Sequence, residues 1–290
     1  MSFRPRQPNC GFTLIEMIMV IVITGILAGI VAVFITKPVQ GYADSVRRAE
    51  LTDAADVALR RMTRDVRLAL PNSLRTVAGG FEFIMTKSGG RYREETDGST
   101  CGNFIYSTDI DCAPGVETAS ENDFDVLGAM PAISGGDRIV VYNLGAGYPP
   151  ADAYAGGNVA TVDGTNPVPN PVPLVSPNPF PAQSPPLPSP DARFQVVGSA
   201  DLVVRYTCAG GVLTRFAGCS LATPSDCTGV GAGAVLAGSA SAEPKASCTI
   251  DYRSAATGRS GWLLVTLTLT DTPSGESVSL FQQIHVDNAP

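Results

Sequence analysis

Residues 11–36 of the chain read Gly11-Phe-Thr-Leu-Ile-Glu16-Met-Ile-Met-Val-Ile-Val-Ile-Thr-Gly25-Ile-Leu-Ala-Gly29-Ile-Val-Ala-Val-Phe-Ile-Thr36. A helix over residues 12–36 would be about 37 Å long at ~1.5 Å per residue. That length exceeds the ~30 Å hydrocarbon core of a bilayer. We therefore predict that residues 12–36 form a transmembrane helix, and this helix organises the rest of the fold.

One charged side chain interrupts this apolar segment. Glu16 is the only Asp, Glu, Lys or Arg between Phe12 and Thr36. An ionised side chain inside a bilayer costs at least ~3 kcal/mol unless it is paired, and such residues usually have a function. We therefore expect Glu16 to meet a positive charge supplied by another group.

The residues that flank the apolar segment indicate its orientation. Arg4 and Arg6 precede it without any acidic residue, and Lys37 and Pro38 follow it. A short basic leader stays on the cytoplasmic side of the membrane. The leader, residues 1–11, is thus expected in the cytoplasm and the bulk of the chain outside.

Three simpler interpretations of the N-terminus compete with a functional one. A secretory signal peptide has an apolar region of only ~7–15 residues, shorter than this one. A lipoprotein signal places its apolar region before the cysteine, whereas here it follows Cys10. A plain membrane anchor with an interfacial Glu16 remains the third alternative.

Composition limits the partners of the chain. It has 290 residues with 27 Asp and Glu against 20 Lys and Arg, a formal net charge of −7. Binding to nucleic acid generally requires clustered basic residues, so we expect no nucleic-acid partner. The roughly 250 residues after the membrane helix suffice for one substantial domain or two small ones.

The cysteines predict disulfides. Cys10 lies in the leader, and an even number of cysteines follows the membrane helix, as is typical of exported domains with disulfides. These candidates are Cys101, Cys112, Cys208, Cys219, Cys227 and Cys248. Cys101 and Cys112 are expected to pair locally, while the other four allow three connectivities. Because no Cys-x-x-Cys occurs and His285 is the only histidine, we expect no zinc site. The acidic pairs Asp109–Asp111 and Asp123–Asp125 could contact calcium but lack the ligand number and glycine placement of a known loop, so we assign no metal ligand.

A second helical segment is predicted beyond the membrane. Pro38 and Gly41 are expected to interrupt the helix, which then resumes over residues 42–70 and stops at Pro71. Its apolar residues fall largely at three- and four-residue spacing; they are Val46, Ala55, Leu59, Met62, Val66 and Ala69. The opposite side carries Arg60, Arg61, Arg64 and Arg67, interpreted as a solvated face, with Asp56–Arg60 and Arg61–Asp65 as i, i+4 ion pairs.

After Pro71 the pattern changes to β-structure. Predicted strands are Phe81–Thr86, Arg138–Tyr142, Phe194–Val197, Asp201–Thr207, Val212–Phe216, Trp262–Thr270 and Val278–Val286. The last two flank a turn at residues 271–276 and are expected to form a hairpin. A sheet packed on the apolar helix stripe would give an α+β domain over residues 72–290.

Two segments are predicted to be irregular. Residues 145–191 are rich in proline, which removes backbone donors and favours polyproline II, so we expect a surface loop without a core. Residues 219–248 are rich in Gly, Ala and Ser, and we expect disulfides to hold them.

The sequence contains no recognisable catalytic or phosphate-binding motif. No nucleophile elbow accompanies His285, and no phosphate-binding glycine loop is evident. We expect neither an enzyme nor a cofactor.

The hexapeptide Gly-Phe-Thr-Leu-Ile-Glu after a short basic leader closely resembles the type III signal of type IV pilins and type II secretion pseudopilins. The resemblance implies that prepilin peptidase cuts between Gly11 and Phe12 and methylates the new Phe12 amine. Glycine before the cut leaves the backbone accessible. The resemblance also implies that Glu16 of one subunit pairs with the terminal amine of a neighbour, and a desolvated pair offsets part of each charge's cost.

Further segments resemble the minor pilins of the MSHA pilus biogenesis type; these are residues 37–42, 47–51, 56–62 and 271–282. The arginine and aspartate pattern of the second helix is also similar to that of the larger minor pseudopilins.

The resemblance implies a type IV pilin-like fold in which the amphipathic helix, residues 37–71, continues the transmembrane helix. It also implies a single-pass protein of the bacterial inner membrane with a periplasmic domain. Its partners would be prepilin peptidase, major and minor pilins, the inner-membrane assembly platform and membrane lipid. Priming or capping of filaments, a role as a secretion pseudopilin, and adhesion at the tip all remain open.

Overall fold

The computed structural model describes residues 11–94, 105–106, 122–164, 166–200, 202–221, 227, 231, 233–254 and 260–290. The chain divides into two compact units, Met1–Glu50 and Leu51–Pro290. Most of the leader, together with Cys10, Cys101 and Cys112, lies outside the described residues. The expected Cys101–Cys112 pairing therefore remains a prediction.

The N-terminal helix, α1, runs without a break from Leu14 to Val66, a length of 53 residues. The predicted interruption at Pro38 and Gly41 is wrong, because both residues lie inside α1. An internal proline removes one helical hydrogen bond. The neighbouring turns retain theirs, so the helix continues through this point.

The end of α1 also differs from the prediction of Leu70. Beyond Val66 the Leu70 N–H donates to the carbonyl of Ile84 at 2.7 Å, and Ala69 forms a β-bridge with Met85. These residues bond to a neighbouring strand instead of continuing the helical ladder. The helix therefore ends one turn early, because tertiary hydrogen bonds replace the local ones.

The described part of residues 67–290 forms fifteen β-strands and one short 3₁₀ turn, Pro190–Ala192. The strands are β1 Arg75–Val77, β2 Gly80–Ile84, β3 Thr86–Tyr92, β4 Asp123–Phe124, β5 Val126–Leu127, β6 Arg138–Val140, β7 Val159–Thr161, β8 Val172–Pro173, β9 Arg193–Val197, β10 Val203–Ala209, β11 Val212–Cys219, β12 Ala234–Gly238, β13 Lys245–Ser254, β14 Ser260–Asp271 and β15 Glu276–Asp287.

All strand pairings within the described residues are antiparallel. The sheets have the orders β1-β2-β10-β11-β12, β13-β14-β15, β5-β3-β9-β6-β7 and β4-β8. Each of the seven predicted strands is present with small shifts of its ends. The predicted hairpin is confirmed, since β14 pairs with β15 from Ser260↔Asp287 to Asp271↔Glu276.

The main core lies between the C-terminal part of α1 and two of the sheets. Leu59 and Met62 of α1 belong to one buried cluster with Phe81 and Tyr206 of the first sheet. The same cluster contains Leu267 of β14, which belongs to the three-stranded sheet. One side of the helix thus packs against both sheets.

The helix surface largely follows the predicted division into two sides. Of the predicted apolar stripe, residues 55, 59, 62 and 66 are buried, whereas Val46 is exposed. The four arginines on the opposite side are exposed, as predicted. The α+β fold is confirmed, with a layout consistent with type IV pilins.

The proline-rich segment has a core, contrary to the prediction of a surface loop. Buried apolar residues from it pack against β3, β6 and β9 in a second cluster; they include Ala160, Val162, Val168, Val172, Leu174 and Phe180. Strands β7 and β8 lie inside this segment as well. Proline is tolerated here because short strands at sheet edges need few backbone donors.

The segment predicted to be irregular between Cys219 and Cys248 also contains regular structure. Strand β12 lies inside it, and β13 begins at Lys245. Strand β13 pairs with β14 over ten residues, from Lys245↔Thr270 to Ser254↔Gly261. Its sequence carries few large apolar residues, so the pairing partner rather than local propensity determines this strand.

Candidate functional site

The predicted cleavage point lies just outside the helix. Gly11 and Phe12 precede α1, both are exposed, and the Phe12 side chain is 77% accessible. A Cβ added at Gly11 would have no described atom within 4 Å. Proteases require an accessible backbone, and these residues are exposed.

Thr13 lies directly before α1 and caps its first turn, which positions Glu16. The Glu16 N–H donates to the Thr13 carbonyl at 3.1 Å and to Thr13 Oγ1 at 3.4 Å. Thr13 and Glu16 thus have the spacing of a capping box, with threonine at the N-cap and glutamate three residues later. The Glu16 side chain also lies in the first turn of α1, at the positive end of the helix dipole. Sequence reasoning misses this role of Thr13, although the Thr-x-x-Glu spacing is a signal that could have found it.

The apolar part of α1 has the surface of a membrane segment. One helix of the described chain is long and apolar enough to cross a bilayer, and none of its most apolar 18-residue window is buried. The hydroxyls of Thr24 and Thr36 donate to the carbonyls of Val20 and Ala32 at 2.6 and 2.8 Å. These bonds satisfy the polar groups within the helix, as lipid requires. Glu16 therefore remains the one ionisable group of this segment.

An ion pair attaches the C-terminal part of α1 to the first sheet. Asp65 Oδ2 accepts hydrogen bonds from Arg215 Nε at 2.6 Å and from the Tyr206 hydroxyl at 2.7 Å. Burial, followed by the bond to Asp65, raises the pKa of Tyr206 above its ordinary value. Burial would lower the pKa of Arg215, but the hydrogen bond and charge of Asp65 raise it overall. The predicted Arg61–Asp65 pair is therefore replaced by a buried contact, whereas the predicted Asp56–Arg60 pair is present at 2.6 Å.

Two disulfides lie within the described residues, and both are in the sheet region. Cys208 on β10 bonds to Cys248 on β13, and Cys219 bonds to Cys227. This is one of the three pairings that the sequence left open. The first bridge joins two different sheets, and the second closes a short loop after β11. Both are consistent with an exported domain.

A cavity of about 370 Å³ lies beside Lys87 and Asp137, with Ser134 and Ser199 in its lining. Asp137 accepts hydrogen bonds from Lys87 Nζ at 2.9 Å and from the backbone N–H groups of Ser134 and Ser199. The carboxylate is buried, and both of its oxygens accept hydrogen bonds. We interpret this group as a structural link between strand β3, the β5–β6 loop and the β9–β10 loop.

Comparison with known proteins identifies the N-terminus. Residues 6–32 match the family described as the prokaryotic N-terminal methylation motif. No curated protein and no solved structure shows a significant match to the chain. The motif and the long apolar helix together support a type IV pilin-like or pseudopilin protein that is processed by prepilin peptidase and anchored in a membrane.

Proposed function

We propose that the chain is a minor pilin of the MSHA pilus biogenesis type, resembling MshO, that takes part in priming or capping pilus assembly. The assembly role in this proposal rests above all on the position of Glu16, and the MSHA type rests on the resemblance of residues 37–42, 47–51, 56–62 and 271–282. Glu16 is the single charge of the apolar helix and lies four residues after an exposed Gly11–Phe12 bond. Cleavage of that bond would create the cation that Glu16 needs.

The charges explain why assembly would follow processing. Before the cut, Phe12 has an amide and offers no positive charge. After the cut, its amine is cationic and lies in the membrane beside the helix of the next subunit. Two charges that are each costly in lipid gain from pairing. Glu16 of one subunit would therefore select a processed neighbour.

We propose a location and partners on the same grounds. The leader would face the cytoplasm and residues 72–290 the periplasm, in a single-pass protein of the bacterial inner membrane. Prepilin peptidase, other pilins, the inner-membrane assembly platform and lipid would be its partners. We propose an assembly role without catalysis, cofactor, metal or nucleic acid.

Replacement of Glu16 in the native gene tests the proposal. Glu16→Ala should abolish co-purification of the processed chain with its partner pilins and should reduce surface filaments. Glu16→Asp keeps the charge and should retain part of both. Glu50→Ala is the matched control, because Glu50 is exposed on the same helix outside the apolar segment. Wild-type assembly by Glu16→Ala would refute the proposal.

Two other functions remain alternatives. A minor pseudopilin of type II secretion has the same signal and helix, and an adhesive tip pilin would use the large disulfide-containing domain. Deletion of the gene separates the three. Loss of filaments supports priming, loss of protein secretion supports the pseudopilin, and normal filaments without surface attachment support the adhesin.

A further inference from the structure

Strand β15 forms a long, regular sheet edge. It pairs with β14 over all twelve residues, Glu276–Asp287, without a shift in register. In the order β13-β14-β15 it is the last strand, and no other described strand pairs with its second side. Twelve residues span ~40 Å, and about every second residue of such an edge directs its N–H and C=O outward.

The usual protection of an edge strand is absent from β15. Natural edge strands are typically short, or carry lysine, proline or a bulge that prevents another strand from pairing. Strand β15 contains no proline, lysine or arginine, and its pairing with β14 shows no bulge. It is also about twice as long as an average strand. An edge of this kind is a template for an additional strand.

Both ends of the β15 edge are fixed. At the first end, the turn is closed by the Gly275 N–H, which donates to the Asp271 carbonyl at 2.9 Å. At the second end, the Asn288 amide donates to the Tyr252 hydroxyl at 2.9 Å, and Asn72 donates to the Asn288 carbonyl at 3.0 Å. An edge that is already ordered loses little conformational entropy on binding.

Aromatic side chains beside the edge provide anchors for a partner. Phe281 of β15 is 62% exposed, and Trp262 of β14 is 41% exposed. Trp262 packs edge to face against His285, with 5.0 Å between ring centroids. Phe281 and His285 are four residues apart in one strand and so lie on the same face of the sheet. An added strand would cover part of this apolar surface.

The charges indicate which strand would bind. Glu276 and Asp287 mark the two ends of β15, and Asp271 is the cross-strand neighbour of Glu276. The whole unit, residues 51–290, has 24 acidic and 15 basic residues. Basic residues at the two ends of an added strand would lie near these carboxylates, and opposite charges on neighbouring strands attract, so the edge favours a partner with basic ends.

We propose that the β15 edge binds an extended segment of another polypeptide, about eight to twelve residues long, with basic residues at its two ends. The segment would add as a fourth strand of this sheet through main-chain hydrogen bonds. This inference goes beyond the proposed function. It rests on the β13-β14-β15 sheet, the contacts at its ends and the charge of residues 51–290, and it is independent of the N-terminal motif.

The full-length chain in lipid nanodiscs, with two synthetic peptides as probes, tests the proposal. Both peptides alternate Val and Thr over about ten residues and lack Trp; one has Lys at each end and the other Glu. Trp262 is the only tryptophan of the chain, so its fluorescence reports binding next to the edge. The Lys-ended peptide should bind, and the Glu-ended peptide should bind about tenfold more weakly. Equal affinity of the two peptides would refute the preference for a partner with basic residues at its ends.

A matched pair of variants tests the location. Thr249, Thr266 and Phe281 lie in one cross-strand row, with Thr249 on the far strand β13. Phe281→Lys adds a charge at the edge and should weaken the Lys-ended peptide about tenfold or more. Thr249→Lys adds the same charge to the same sheet face and should change the affinity by less than about twofold. Equal effects of both variants, or no binding to the native chain, would overturn the proposal.

Two further measurements test the binding mode. An added strand directs the N–H groups of only every second residue to β15. N-methylation of that set of peptide residues should therefore abolish binding, whereas N-methylation of the other set should be tolerated. An equal loss of affinity on methylation of either set would overturn strand addition. The alternative outcome is self-association of the chain in nanodiscs through this edge. If Phe281→Lys abolished such self-association, the occupant would be a second copy of the chain, and the proposal of a basic partner would be refuted.

Discussion

Asp65 Oδ2 on helix α1 lies 2.6 Å from Arg215 Nε on strand β11. The same oxygen accepts a hydrogen bond from the Tyr206 hydroxyl at 2.7 Å, and the Asp65 and Arg215 side chains are only 11% and 12% exposed. Asp65→Ala would leave the part-buried Arg215 guanidinium and the buried Tyr206 hydroxyl without their acceptor. We expect it to lower the free energy of unfolding by ~3–5 kcal/mol, measured by urea unfolding of the chain in detergent micelles.

The control for this prediction is Asp56→Ala, which removes an exposed ion pair with Arg60 from the same helix. Exposed pairs contribute less than ~1 kcal/mol. Tyr206→Phe should fall between the two, because it removes one hydrogen bond while keeping the ring. If Asp56→Ala destabilised the chain as much as Asp65→Ala, the buried ion pair would not have the role described.

The two disulfides should contribute unequally to stability. Cys208 and Cys248 are 40 residues apart, whereas Cys219 and Cys227 are 8 residues apart. A longer closed loop restricts the unfolded chain more, so loss of the bridges should cost about 4 and about 2.5 kcal/mol, respectively. Urea unfolding of the two double Cys→Ser variants measures this difference. The reverse order would contradict the entropic explanation.

The free energy of unfolding should depend on pH through the ionisation of Asp123. Burial, with a smaller contribution from the nearby Asp125 carboxylate, raises the pKa of Asp123 to about 6 from 3.8. The folded state therefore holds this proton more tightly than the unfolded state, and stability decreases as the pH rises from about 4 to about 6. Asp123→Asn cannot ionise, so it should be more stable than the native chain above about pH 6.

Urea unfolding at about pH 4, 5, 6 and 7.5 checks this prediction. The advantage of Asp123→Asn over the native chain should decrease below about pH 6 and vanish near about pH 4. A difference that stayed constant over this range would mean that ionisation of Asp123 does not affect folding.

The proline-rich segment should behave as part of the core. Phe180 is fully buried and packs against Tyr106 with 5.7 Å between ring centroids. Phe180→Ala should therefore lower the free energy of unfolding by ~3–5 kcal/mol. Val175→Ala is the control within the same segment, because Val175 is 46% exposed, and it should change stability by less than ~0.5 kcal/mol. Equal, small effects of both would support the original loop prediction.

Processing should depend on the absence of a side chain at Gly11. Gly11→Val should block cleavage, so that intact-mass measurement finds the leader still attached. Gly29→Val adds the same side chain inside α1, where the added Cβ has no neighbour within 4 Å, and should be cleaved and methylated normally. Normal cleavage of Gly11→Val would exclude a requirement for glycine at this position.

Local patterns predict much of the architecture because their causes are local. The alternation of Leu263, Val265, Leu267 and Leu269 with other residues predicts a strand with one buried face, and β14 has that face. The spacing of Ala55, Leu59 and Met62 likewise predicts one buried side of a helix. In both cases the period of the backbone determines the side of each residue.

Other elements depend on partners that are distant in the sequence. Strand β13 and the core of residues 145–191 escape prediction because their residues have weak strand propensity or include many prolines. Helical spacing pairs Asp65 with Arg61, four residues away, although Asp65 bonds to Arg215, 150 residues away. Sequence spacing alone cannot rank a neighbour on the same helix against one on another element.

The order of residues near the N-terminus is enough to specify the Gly11–Phe12 signal, the single charge of Glu16 and the apolar helix that carries them. These features act along one continuous stretch of chain, and their meaning does not require any other part of it. Folding in three dimensions is needed to specify that Cys208 bonds to Cys248, that Asp65 contacts Arg215 and that β15 ends a sheet. Each of these depends on which distant segments the packing of the core brings together.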